Sequence, residues 1–209
     1  MSRLEELLQT LCPDGVEYVK LGDVAPPIRG VRVIRSQLAK KGEYPVYQNS
    51  MTPLGYFEES NCLANTAFLI SAGAAGEIGY STVNFWAADD CFYFVCPKNL
   101  QSRFLYYALM CQQEYLFSRV RRASVPRLAR SVIEGLFIPL PPLPVQEEIV
   151  RILDTFSSTV AELEAERAAR IRQYEHYRDL LLTFNELSVE SVDRQTDRQT
   201  DRQTDGYDG

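Results

Sequence analysis

An α+β fold is what this sequence predicts: a domain with a mixed or antiparallel sheet, followed by one long helix of the kind that forms coiled coils. Three observations predict it. Short apolar segments separated by Gly, Pro and Asn turn signals fill residues 18–96. A single proline-rich break, "PLPPLP", stands at 139–144. Directly after it begins a heptad pattern running to Phe184.

Taken in order, residues 3–11 form a short amphipathic helix with Leu4, Leu7, Leu8 and Leu11 on one face, and "CPDG" breaks it. This N-terminal segment, 1–17, precedes a domain over 18–143. "VEYVKLGDV" reads as the strand leading into that domain. Further strands are expected at "YPVYQ" (44–48), "GYFEE" (55–59), "TAFLIS" (66–71), "GEIGYS" (76–81) and "CFYFVC" (91–96). Residues 99–118 take helical spacing, offering Phe104, Tyr107, Ala108, Cys111 and Leu116 to one face, and "VIEGLFIPL" (132–140) reads as a last strand.

The helix after the break occupies 144–187, with Pro144 in its first turn and Glu147 and Glu148 at the positive end of its dipole. Ile149, Leu153, Phe156, Val160, Leu163, Arg167, Arg170, Tyr174, Tyr177, Leu181 and Phe184 alternate at spacings of four and three, a seam interrupted only by the two arginines. Forty helical residues extend about 60 Å, whereas a domain of this size is only roughly 35–40 Å across. The seam therefore needs another long helix, and this chain has no second one, so a dimer through this helix is favoured over a helix that lies partly over its own sheet with a frayed end. Arg167 and Arg170 are costly in a dry seam and are expected to set register or to meet acids such as Glu164 or Glu166 of a partner.

Composition describes an ordinary globular chain: 209 residues, 45% hydrophobic and 24% charged, net charge −6. No apolar run spans a bilayer, and "MSRLEELLQTL" is not a signal peptide, so the cytoplasm is the expected location. The charge is uneven. Residues 1–145 carry 14 basic and 13 acidic side chains (+1), residues 146–187 carry 5 and 9 (−4), and residues 188–209 carry 3 and 6 (−3). Two stretches lack acids altogether. One holds Arg29, Arg32, Arg35, Lys40 and Lys41; the other holds Arg119, Arg121, Arg122, Arg127 and Arg130. Both suit phosphate, and an arginine in either can also pair bidentately with guanine. Gln48 and Asn49 have the amide geometry that matches adenine N6 and N7, although "QNS" equally suits a plain turn; Ser124 and Arg127, around Pro126, are comparable candidates.

Catalytic signals are weak. In "PDGVEYVK", Asp14 is too close to Glu17, and Lys20 falls three residues beyond Glu17 rather than two, which argues against a nuclease triad. Gly73, Gly76 and Gly79 do not make the G-x-G-x-x-G fingerprint and suit a tight turn. There is no phosphate-binding P-loop motif and no Asn/Asp-Pro-Pro-aromatic tetrapeptide. With His176 the sole histidine and no C-x-x-C pair, no metal site is expected, and the five cysteines read as buried free thiols. The chain offers no self-sufficient active site.

Several motifs together resemble the specificity subunits of type I restriction–modification systems. They are "VKLGDV", "YPVYQNSMTPLGYFEE", "TAFLISAGAAGEIGYS", "NFWAADDCFYFV", "LYYAL", "RRASVPRLARSVIEGLFIPLPPLPVQEEIVRILDTF" and "LEAERAARIRQYEHYRDLLLTF", covering about residues 18–184. The resemblance implies a target-recognition domain on double-stranded DNA followed by one spacer helix. It implies no catalytic centre and no cofactor in this chain. Methyltransferase subunits would supply S-adenosylmethionine and methylate adenine at N6, and full complexes would add an endonuclease subunit. Family members usually have two such domains and two such helices. A single set implies a homodimer reading an interrupted palindrome. Ala72 departs from the basic residue often found near its turn. The competing readings are a stand-alone dimeric DNA-binding or decoy protein and an inert remnant of a specificity gene.

The segment 188–209 contains "DRQT" three times and has too little apolar content for a core, so disorder is expected. A GACA tract read in frame as GAC AGA CAG ACA encodes Asp-Arg-Gln-Thr. Such tracts change length by replication slippage, so phase-variable expression is expected.

Overall fold

The computed structural model describes residues 2–183; Phe184, the end of the expected helix and the DRQT tail lie outside the described residues. The fold is α+β with largely antiparallel sheets and a long C-terminal helix. Helix α1 (Arg3–Leu11) is set by a capping box, in which Ser2 Oγ accepts from the Glu5 amide while the Glu5 carboxylate accepts from the Ser2 amide.

Strand β1 (Tyr18–Lys20) is shorter than expected, because Leu21–Val24 turns into a helical segment, α2, that buries Leu21 completely. Strands β2 (Ile28–Arg29), β3 (Tyr44–Tyr47), β4 (Gly55–Phe57), β5 (Thr66–Ile70), β6 (Ile78–Ser81), β7 (Trp86–Ala87) and β8 (Cys91–Tyr93) follow. A four-stranded antiparallel sheet runs β2-β8-β5-β6, and a three-stranded sheet runs β4-β3-β7 with β3 and β7 parallel. Between β5 and β6, Gly73 and Gly76 both adopt positive φ (+81° and +93°), as the tight turn requires.

Both faces of the larger sheet are covered, which explains why β5 reads as a continuous apolar run. Ala67 and Leu69 face the principal core, while Phe68 and Ile70 face a second cluster with Cys62, Phe85 and Cys91. The helical stretch expected over 99–118 is two helices, α3 (Ser102–Met110) and α4 (Gln113–Ser118), broken where Gln112 leaves helical geometry and its side-chain amide donates to the Phe137 carbonyl. Phe104, Ala108 and Leu116 are buried as expected, but Cys111, at the break, is exposed. The expected strand over 132–140 is a helical turn, α5 (Arg130–Glu134), followed by β9 (Phe137–Pro139), which pairs with β1.

Helix α6 (Leu143–Thr183) starts straight after the prolines and is 41 residues long, about 60 Å. Its first turns bury Val145, Gln146, Glu148 and Val150. Two compact units divide the chain, Met1–Leu153 and Asp154–Gly209, and α6 belongs to both.

Candidate nucleic-acid interface

Backbone hydrogen bonds stitch four loops of the first unit together at one end of the larger sheet. The Ala74 amide donates to the Asn49 carbonyl (2.9 Å) and the Ala88 amide to Tyr47 (2.8 Å). The Ser71 amide donates to the Asp90 carbonyl (2.7 Å), and the amides of Gly73 and Leu128 donate to Pro126 (3.0 Å) and Ser71 (2.8 Å). A Cβ on Gly73 would lie 2.6 Å from the Asn49 carbonyl oxygen, so glycine is what allows this approach.

Arg29 of the first basic stretch meets Arg127 and Arg130 of the second beside the stitched loops. Arg29, Arg127 and Arg130 line one hollow of about 310 Å³ with Ser71, Asp90 and Phe92. Arg29 Nε donates to the Asp89 carbonyl at 2.7 Å. Arg127 Nη1 lies 3.9 Å from Asp90 Oδ1, and Arg130 Nε is 2.7 Å from Glu134 Oε1. The backbones of Arg121 and Arg127 bond each other, closing a loop whose residues Arg122 and Ser124 are exposed. Arg119 is stacked on Tyr115, with Cζ 4.9 Å from the ring centroid.

The remaining candidates sit elsewhere on the unit. Arg35 and Lys40 line a second, open hollow of about 510 Å³ with Leu38, Leu54 and Tyr56. Arg32 and Lys41 are exposed and line neither hollow. Gln48 is half-buried, its amide directed at Asp89 Oδ1 over a long 3.4 Å, while Asn49 is exposed.

Asp89 and Asp90 carry part of this geometry, and sequence reasoning passed over them. They lie inside the resemblance motif "NFWAADDCFYFV", but their own signal is an acidic pair ahead of an apolar strand, which a turn would also produce. Ala72, where the sequence departs from the resemblance, is 1% exposed and bridges to Arg127 through the backbone.

On α6, Phe156, Val160, Leu163, Tyr174, Tyr177 and Leu181 are each between 51% and 66% exposed. Arg167 and Arg170 are exposed too, and Arg170 lies 3.6 Å from Glu166 of its own helix. Ile149 packs against the principal core instead, since the first turns of α6 close that core, and Leu153 is half-buried.

The thiols are free: Cys62 and Cys91 are buried, Cys12 and Cys96 half-buried, and Cys111 is exposed. Burial pushes Cys62 up to about 12 and Cys96 to about 11. Among the described residues, no three His, Cys, Asp or Glu side chains gather as a metal site would require, and no helix is long and apolar enough to cross a membrane.

A family model described as "Type I restriction modification DNA specificity domain" matches residues 13–173. A Mycoplasma pneumoniae protein, described as a type I specificity subunit, is 30% identical over 172 residues, covering 80% of this chain and 47% of its own length. A Haemophilus influenzae protein described as a type I restriction enzyme specificity subunit is 28% identical over 198 residues, with coverages of 88% and 50%. The chain thus spans about half the length of these relatives. Among solved structures, a Mycoplasma genitalium type I S subunit superposes with a TM-score of 0.63 at 21% identity, over 72% of this chain and 41% of that one. The HsdS subunit of Thermoanaerobacter tengcongensis gives 0.57 at 21%, with coverages of 77% and 45%. On the extent of the family match, this chain belongs to the type I restriction–modification DNA specificity domain family.

Proposed function

We propose that this chain is the DNA-recognition component of a type I restriction–modification assembly and carries no catalytic centre of its own. The observation that carries the reading is the meeting of Arg29 with Arg127 and Arg130, from basic stretches far apart in sequence, on one hollow of a chain of this family. Cationic side chains on phosphates supply affinity, and side chains reaching groove edges supply sequence.

Two copies pair through the exposed seam of α6, so that each recognition unit reads the same half-site on opposite strands of an interrupted palindrome. Methyltransferase subunits bring S-adenosylmethionine and methylate adenine at N6 in the cytoplasm, and an endonuclease subunit joins the full complex. Slippage in a GACA tract switches the gene's reading frame; sequencing that tract from many single colonies tests this, and one fixed length throughout would contradict it.

Single-molecule sequencing for N6-methyladenine, in cells carrying this gene and its neighbouring methyltransferase, tests the central reading. A methylated interrupted palindrome that disappears on deletion of the gene is the expected result. An asymmetric bipartite motif would replace the identical partner with a different half-subunit. No dependent methylation would favour a stand-alone DNA-binding or decoy protein.

A further inference from the structure

The arginines of the recognition unit differ in their acidic company, and that difference sorts them. We infer that Asp90 and Arg127 form a base-reading pair that specifies one G·C position of the half-site, while Arg121 and Arg122 hold the phosphate backbone. The inference rests on the DNA-recognition reading above and adds to it a residue, Asp90, outside both basic stretches.

A phosphate clamp gains nothing from a neighbouring carboxylate, which repels the phosphate at contact range. Arg127 nevertheless has one, with Nη1 3.9 Å from Asp90 Oδ1. Arg121 and Arg122 make no ion pair among the described residues. The spacing at Arg127 is longer than a hydrogen bond, so the guanidinium keeps donors, and the carboxylate keeps lone pairs, for a third party.

Both side chains are rooted in fixed backbone. The Asp90 carbonyl accepts from the Ser71 amide (2.7 Å) and from Ser71 Oγ (2.9 Å). Arg127 bridges to Ala72 and is flanked by the bonds from Gly73 to Pro126 and from Leu128 to Ser71. They converge on the hollow that Arg29 and Arg130 also line. The Asp90 side chain is 19% exposed and that of Arg127 is 63% exposed, so both remain accessible where they line the same hollow.

A guanidinium beside a carboxylate is the complement of a G·C pair seen from the major groove. Guanine presents two adjacent acceptors, O6 and N7, and cytosine presents the N4 donor. An A·T pair breaks the match, because adenine places a donor, N6, where Arg127 needs its second acceptor.

Enrichment of a randomised duplex library on the full chain, followed by affinity measurements at two salt concentrations, tests the pair. Asp90→Asn and Arg127→Ala are expected to lose discrimination at the same G·C position, roughly ten- to a hundredfold. Asp90→Asn should bind non-specific duplex at least as tightly as the parent. Arg121→Ala and Arg122→Ala should keep the motif, weaken all sequences alike, and reduce the salt slope by about 0.9 for each phosphate no longer neutralised. Asp90→Asn preserves shape, and the bonds from Ser71 reach Asp90 only at its backbone carbonyl, so the variant's melting temperature should match the parent's and exclude a folding defect. An unchanged motif with folded Asp90→Asn and Arg127→Ala would overturn the inference while leaving DNA recognition intact. A parent chain that enriches no motif at all would overturn the recognition reading, and the pair with it.

Discussion

Gln146 is 0% exposed and uses its whole amide group. Its Oε1 accepts from the Gln101 amide (2.9 Å), and its Nε2 donates to the carbonyls of Asn99 (2.8 Å) and Pro141 (2.7 Å). It therefore fastens the start of α6 to the turn before α3. Gln146→Ala would leave three backbone groups without partners, and a loss of about 2–4 kcal/mol is expected in urea denaturation. Periodicity could not have singled out this residue, since a glutamine early in a helix looks like a surface residue; only the resemblance of the surrounding "PVQEEIV" run pointed to its segment. The cysteines were legible in kind but not in place. Burial holds the thiols of Cys62 and Cys96 far above working pH, so a thiol reagent at pH 8 should modify Cys111 rapidly and Cys62 and Cys91 only after unfolding.

At the scale of elements, the clearest sequence signals were those with strong local causes. The capped α1, the strands β3 to β6 and β8, and the long α6 all fall where turn residues and apolar period place them. Tertiary contacts decided the rest. "SVIE" is rich in β-branched residues yet turns as α5, because Ile133 is fully buried and Arg130 pairs with Glu134 one turn on. At the start of α6, two hydrogen bonds from Arg151, at 2.7 and 2.9 Å, hold the Glu148 carboxyl below its ordinary range and outweigh the opposing effect of desolvation. A depressed carboxylate stabilises the fold above its unfolded value, and that contribution disappears as pH falls through the folded value. The melting temperature should accordingly decline below about pH 4.3, the ordinary glutamate value, and Glu148→Gln should lose that part of the decline. For the homodimer proposed above, Leu163→Glu removes one apolar side chain from each of the two paired helices. At roughly 1.5–3 kcal/mol per side chain, the dimer dissociation constant should rise by at least about a hundredfold, as light scattering across a dilution series would read.

For the whole molecule, the charge of −6 misleads about partners, because the acids are concentrated in residues 146–209, at −4 − 3 = −7, while residues 1–145 stand at +1. Charges act over roughly 8–10 Å at ordinary ionic strength, so under the proposed function it is the local arginines that would govern contact with DNA. Affinity is expected to fall steeply with salt, with a log–log slope near −5 if about six phosphates are engaged. Fold class and the long seam-bearing helix were legible at this scale, from the proline break and the heptad spacing. The hollow was not, since it depends on backbone bonds among four loops that no local pattern encodes.

Those bonds also bear on how the protein folds. Ser71 alone joins Asp90, nineteen residues away, and Leu128, fifty-seven residues away by 128 − 71. Closing such long loops is slow, and non-local contacts of this kind form after local ones. The scaffold strands can pair first, and the candidate surface becomes whole only when the last of these distant segments arrives.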